Sequence, residues 1–176
     1  YYLAVEKVRN ASANITGTIS IGFGPHEKPL LREYVKVFKK RFPNISIMVS
    51  QHGYKDLADG LVDDTFDIIF STMRCPSAIT GCVYKVIKEG SNLYLASKSH
   101  PLASKNAPIT PEDIAKYDMA VHCEKDGPFS PEDLINGFKD IGTSPRSFIS
   151  VNSLDAKLAL VESCDMIASM PYFLAE

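Results

Sequence analysis

Between Thr18 and Phe70 the hydrophobic period of the chain switches back and forth between two and about 3.6 residues, and that switching leaves few folds open. Thr18-Ile19-Ser20-Ile21 alternates polar and apolar as a half-buried strand does, and it runs into the turn Gly22-Phe23-Gly24-Pro25. Leu30, Leu31, Tyr34, Val35, Phe38 and Phe42 then recur at helical spacing, with Lys28, Arg32, Lys36 and Lys39 on the other side and Pro43 as the stop. Ile45, Ile47 and Val49 alternate with Ser46, Met48 and Ser50 as a second strand, and Gly53 precedes a short helix carrying Leu57, Leu61 and Val62. Asp67-Ile68-Ile69-Phe70 is short and continuous, the pattern of a strand buried on both faces of a mainly parallel sheet. The expected product is a βαβαβ unit.

A second α/β unit is expected after a connector from Thr72 to Gly81, where Met, Arg, Cys, Pro, Ser and Thr predominate. Val83 to Ile87 and Leu93 to Ser97 have the pattern of an antiparallel pair around Glu89-Gly90-Ser91-Asn92. Thr110-Pro111-Glu112-Asp113 and Ser130-Pro131-Glu132-Asp133 each offer a hydroxyl N-cap, a proline at the first helical position and acids in the first turn. Met119-Ala120-Val121 and Phe148-Ile149-Ser150-Val151 are expected strands. Asn152-Ser153-Leu154-Asp155 opens a further helix with Leu154, Leu158 and Val161 on its apolar side. At the other end, Tyr1 to Asn10 has the pattern of a helix that continues upstream. Residues 15–72 and 83–176 are thus the expected lobes, with 1–14 ahead of them and 73–82 between them as a hinge.

Composition excludes several classes. The 176 residues are 45% hydrophobic and 23% charged, as in a soluble globular protein. The run Met166 to Met170 falls far short of the ~20 apolar residues of a membrane span. Nineteen basic against 21 acidic side chains give a formal charge of -2, without the concentrated positive footprint of a nucleic-acid reader, so DNA binding is expected to reside outside this chain. Cys75, Cys82, Cys123 and Cys164 form no CxxC pair, which signals neither zinc nor a thioredoxin-like site and suits thiols in a reducing cytosol. The sequons at Asn10, Asn14 and Asn44 would bear sugar only in a secreted protein.

Catalytic motifs are equally sparse. Gly22-Phe23-Gly24 follows a strand, but the dinucleotide fingerprint wants glycine where Glu27 stands, and a carboxylate there repels pyrophosphate. His26, His52, His100 and His122 lie in no catalytic context, and no Ser, Cys or Asp forms a nucleophile elbow. A binding site is expected instead. In open parallel sheets ligands sit beyond the carboxyl ends of the strands, where backbone N–H groups of the following helices point. That rule selects Gly24, Pro25 and His26 after the first strand, Gly53 and Tyr54 after the second, Ser71 and Thr72 after the third, and Asn152 and Ser153 after the later one. Each is also a residue that a turn or helix cap would carry without touching a ligand.

The order of motifs along nearly the whole chain resembles the LysR-type bacterial transcription regulators. Gly17-Thr18-Ile19-Ser20-Ile21-Gly22 is similar to that family's first strand after its linker helix, which the resemblance places in residues 1–14. Leu30-Leu31 through Phe38, with Arg41-Phe42-Pro43 and Ile45, is similar to its first helix and second strand. Gly53, Leu57, Leu61, Asp67-Ile68-Ile69, His100-Pro101-Leu102-Ala103, Ile109 to Ile114, Val151-Asn152-Ser153 and Met166 to Pro171 continue in order. Ser163-Cys164-Asp165 stands where the family has a glycine-rich turn, and the family's closing segment is absent.

The resemblance implies a fold like that of type 2 periplasmic binding proteins, with two lobes of mainly parallel sheet flanked by helices. It implies a cleft that takes a small, often anionic effector, no catalysis, no cofactor and no metal. It places Tyr54 where relatives commonly use a smaller hydroxyl residue, which would shrink or re-aim the pocket. It also implies a cytoplasmic homodimer or homotetramer that reaches DNA through an N-terminal helix-turn-helix outside this chain. The helix bearing Lys28, Arg32, Lys36, Lys39 and Arg41 lies at the dimer interface of relatives, although a solvated face accounts for that basic stripe as simply. Cys123 lies near, but not at, the reactive position of peroxide-sensing relatives, where Phe129 stands here. Two other readings share the two-lobed form: a periplasmic or secreted solute-binding protein, marked by a signal peptide, and an enzyme, marked by turnover.

Overall fold

The computed structural model describes residues 15–72, 82–123, 131–140 and 142–174, the side chains of 131–134 excepted. The chain divides into two compact units, Tyr1–Lys85 and Val86–Glu176. The expected upstream helix, most of the connector and Ser130 lie outside the described residues.

In the first unit β1 (Gly17–Phe23), α1 (Lys28–Arg41), β2 (Ile45–Gln51), α2 (Tyr54–Val62) and β3 (Ile68–Phe70) follow in order. The three strands form a parallel sheet of order β2-β1-β3. Parallel register puts Ile21 and Phe23 of β1 on the same face as Ile68 and Phe70 of β3. Tyr34 of α1 meets that face, its ring 5.7 Å from that of Phe70. Gly22 points to the opposite face, where a Cβ would lie 2.6 Å from Leu57 Cδ2 and 3.1 Å from Phe66 Cδ2. The missing side chain is what lets α2 and Phe66 close on the sheet. Leu31, Leu57 and Phe66 are buried from the two sides, as an amphipathic helix on each face requires. Lys39, Lys40 and Arg41 end α1 against its negative pole, and Lys39 Nζ donates to the carbonyls of Pro43 (2.8 Å) and Ile45 (2.7 Å).

One expectation here needs correction. β3 is not buried on both faces: Ile68 is 43% exposed, because β3 is an edge strand among the described residues. Val49 and Met48 on the opposite edge strand β2 are exposed as well.

The second unit is a mixed four-stranded sheet of order β4-β7-β5-β6. Its elements are β4 (Asn92–Leu95), a 3-10 turn Pro101–Ser104, α3 (Pro111–Ile114), β5 (Asp118–His122), α4 (Pro131–Asp140), β6 (Ser147–Val151), α5 (Leu154–Ser163) and β7 (Met166–Pro171). β5, at its centre, is Met119-Ala120-Val121 with alternate residues buried on opposite faces. Met119 and Val121 pack with Ile114 and Ile167 on one side, bordered by Leu102, Tyr117, Phe138 and Phe148. Ala120 packs with Val161 of α5 and Ala168 on the other. Small residues at 120 and 168 let α5 lie close to the sheet.

The expected hairpin does not form. Val83 to Ile87 is not a strand, and Val83 is 97% exposed. The expected strand from Leu93 is shortened to Asn92–Leu95 and pairs antiparallel with β7, Asn92 opposite Pro171. A distant partner therefore wins over the local one. Three expected helix starts hold in different ways. Ser153 Oγ accepts Ala156 N–H at 3.1 Å, an N-cap. At α3 the hydroxyl of Thr110 donates instead, to the Asp113 carboxylate (3.2 Å), which also accepts Thr110 N–H (3.0 Å) and pairs with Lys105 and Lys116. These donors hold Asp113 far below the usual carboxylate range, Lys105 first among them. α4 begins at Pro131.

Candidate functional site in the first unit

Parallel pairing brings the carboxyl ends of β1, β2 and β3 to one edge of the sheet, and the loops that leave them are tied together. Gly24 N–H donates to Phe70 O (3.1 Å), and His52 N–H donates to Phe23 O (3.0 Å). Gly53 is extended and caps α2, with its carbonyl accepting Leu57 N–H (3.0 Å). Tyr54 thus starts α2 beside the other two loops.

Its hydroxyl is the meeting point. Tyr54 OH lies 3.0 Å from His26 Nδ1, 2.8 Å from Thr72 Oγ1 and 3.3 Å from Glu27 Oε1. The phenol has one proton. It is shared among these neighbours, and the tautomer of His26 decides whether Nδ1 donates to the phenol or accepts from it. Residues 26, 54 and 72, chosen from three separate strand ends, are therefore one hydrogen-bonded group. Gly24, Pro25 and His26 are buried, Gly53, Tyr54 and Ser71 half-buried, and Thr72 exposed, so the group opens to solvent on the Thr72 side.

Glu27 is the residue that sequence reasoning missed. It is 1% exposed, at the N-cap of α1. Its Oε2 accepts His26 N–H (3.0 Å), and its Oε1 accepts Thr72 N–H (2.5 Å) together with the Tyr54 hydroxyl. Burial pushes its pKa above the ordinary 4.5, outweighing the donors of Thr72 and His26 that pull it down. No local signal marks its role: its side chain caps none of the free N–H groups of α1, and its donors come from residues 26, 54 and 72.

The two remaining candidates lie in the second unit. Asn152 is exposed at the carboxyl end of β6, and the oxygen of Ser153 is engaged as the cap of α5. His100, singled out only to be set aside, is buried. Its Nδ1 accepts Leu102 N–H (3.1 Å), and its ring packs 4.3 Å from that of Tyr117. Lys157 is 2% exposed on α5, and its Nζ donates to Ser169 O (3.0 Å). Desolvation lowers its pKa to about 8. Among the described residues no three His, Cys, Asp or Glu gather as a metal-binding set, and no helix is long and apolar enough to cross a membrane.

Each of the two units is α/β, and the first carries a polar cluster at its strand ends. Residues 12–176 match the LysR substrate binding domain, and the chain belongs to that family, the effector-binding domains of LysR-type transcription regulators. Solved structures with this fold include the BenM effector binding domain with its effector benzoate (TM-score 0.65, 20% identity, 90% of this chain and 71% of that one). The regulatory domain of MexT, a transcriptional activator in Pseudomonas aeruginosa, is similar at TM-score 0.68 and 18% identity over 93% of this chain and 76% of that one. HinK, a LysR family regulator from Pseudomonas aeruginosa, is similar at TM-score 0.62 and 20% identity, and this chain covers 96% of its own length but 57% of HinK. No curated protein sequence matches the chain.

Proposed function

We propose that this chain senses a small polar molecule for a DNA-binding regulator, with His26, Tyr54, Ser71 and Thr72, framed by Gly24, Pro25 and Gly53, as the site's share in the first unit. Asn152 and Ser153 are the corresponding strand-end residues of the second unit. The observation that carries this reading is the convergence of three strand-end loops on the Tyr54 hydroxyl, with Thr72 open to solvent. Such loops are where open parallel sheets receive ligands.

Residues 15–72 and 83–176 act as the two lobes, 73–82 as the hinge and 1–14 as the end of a linker helix. DNA is reached through a helix-turn-helix domain outside this chain, in a cytoplasmic homodimer or homotetramer. The site binds and does not catalyse, in keeping with an effector-binding domain, and the cluster's hydroxyls and imidazole are hydrogen-bonded to one another around Glu27. Effector binding shifts the domain between two conformations, by as much as its affinity differs between them.

A thermal-shift screen of the chain against carboxylic acids, amines, amides, sugars and phosphates tests this. A dose-dependent rise in melting temperature that is lost in Tyr54→Ala and Thr72→Ala supports the site. A hit that both variants retain in full refutes it.

A further inference from the structure

Backbone N–H groups at strand ends and helix starts are what such a site offers an anionic ligand. In the first unit two of those donors, the N–H groups of His26 and Thr72, are already engaged from within. Glu27 Oε2 takes the His26 N–H at 3.0 Å, and Oε1 takes the Thr72 N–H at 2.5 Å and the Tyr54 hydroxyl at 3.3 Å. Every one of these partners donates and the carboxyl only accepts, which is the arrangement of a bound carboxylate. The place is built to hold it. A Cβ on Gly24 would lie 2.5 Å from Glu27 Oε2 and 2.6 Å from Tyr54 Cε1, so the loop from β1 admits both side chains only as glycine. Glu27 as a whole is 1% exposed, so little solvent competes for its carboxyl.

We propose that Glu27 is the resident anion of the first unit's site. It is a carboxylate supplied by the chain that occupies two of the backbone donors, together with the Tyr54 hydroxyl, that an effector's acid group would use. The unit accordingly receives its effector through an uncharged or cationic group and rejects carboxylates. This rests on the strand-end reading of the site and names the ligand class for it. An incoming carboxylate has to displace a tethered one or stand beside a like charge, and both are unfavourable. An amide or an amidinium meets the outer shell of the same cluster, the Thr72 and Tyr54 hydroxyls, without that repulsion.

Benzoate, benzamide and benzamidine have one shape and three charges, and they separate the alternatives. Amide NMR of the wild-type chain at constant ionic strength is expected to show Thr72 and Tyr54 responding to benzamide or benzamidine at concentrations at least about tenfold lower than to benzoate, a factor equal to ~1.4 kcal/mol. Glu27→Gly empties the anion position, and sodium acetate is expected to bind it saturably. It would shift the His26 and Thr72 amides and raise the melting temperature, as sodium chloride does not. Should Glu27→Gly be unfolded alone, refolding by acetate counts as the same result, and absence of refolding leaves the decision to the wild-type series. If wild type answers to none of the three aromatic probes, acetate binding to Glu27→Gly decides. Benzoate binding most tightly to wild type at Thr72 and Tyr54 overturns the resident anion while leaving the strand-end site intact. Responses confined to residues away from the strand ends overturn both.

Discussion

Gly22 and Leu57 make a quantitative test of how the first unit closes on its sheet. A methyl at position 22 would lie 2.6 Å from Leu57 Cδ2 and 3.1 Å from Phe66 Cδ2, well inside normal contact. Gly22→Ala therefore overpacks the interface, at a cost of ~1–3 kcal/mol. Leu57 is 1% exposed, and Leu57→Ala leaves a cavity at a cost of ~2–5 kcal/mol. Were the two independent, the double variant would lose the sum. Alanine at 57 removes the very atom that the methyl strikes, and the methyl then fills part of the cavity. The double variant is expected to be no less stable than Leu57→Ala alone, a favourable coupling of ~1–3 kcal/mol. The chain contains no tryptophan, so urea denaturation is followed by far-ultraviolet circular dichroism. Additivity within ~0.5 kcal/mol would refute the packing of α2 on β1 described above.

Lys157 and Asp118 give pH signatures of the same sign, stability rising with pH, in two separate windows. The folded pKa of Lys157 is about 8 against 10.5 unfolded, so the unfolded chain binds more protons between those values, and stability rises with pH across that window by ~1.4 kcal/mol per unit of separation. Lys157→Met removes that rise, and a pH–stability profile identical to wild type would show that the amine is not desolvated. Asp118 accepts from Arg146 and from Ser147 Oγ (2.7 Å), and its pKa falls from 3.8 to about 2. Its contribution is whole above pH 3.8 and disappears as pH falls toward 2, so the acid limb of denaturation should flatten in Asp118→Asn. Ser153→Ala deletes the cap of α5 and should cost ~1 kcal/mol by the same urea assay, whereas no loss would mean that the Ala156 N–H is satisfied another way.

What was legible in the sequence tracks how local the cause is. β1, α1, β2 and α2 follow from hydrophobic period and turn residues, and all lie close to where the pattern puts them. Val83 to Ile87 has a strand-like composition, yet a strand needs a partner, and β4 finds one 73 residues or more away in β7. That pairing, like the place of Met166–Pro171 inside the sheet, is set by long-range packing that no local period reports. The same holds for the site. The strand-end rule selected His26, Tyr54 and Thr72 because sheet topology alone brings them together. Glu27 was weighed only as a charge unsuited to pyrophosphate, since its burial depends on donors that arrive from residues 54 and 72. Lys157 hid for a related reason: it lies among Leu154, Leu158 and Val161, on a helix whose apolar side seemed complete without it.

Hydrogen–deuterium exchange, with and without the compound that most stabilises the chain, tests the central claim most directly. The account predicts added protection at Gly24 to His26, at Gly53 and Tyr54 and at Ser71 and Thr72, with a matching change at Asn152 and Ser153. Protection that appears elsewhere in the chain while these loops exchange as before would contradict it.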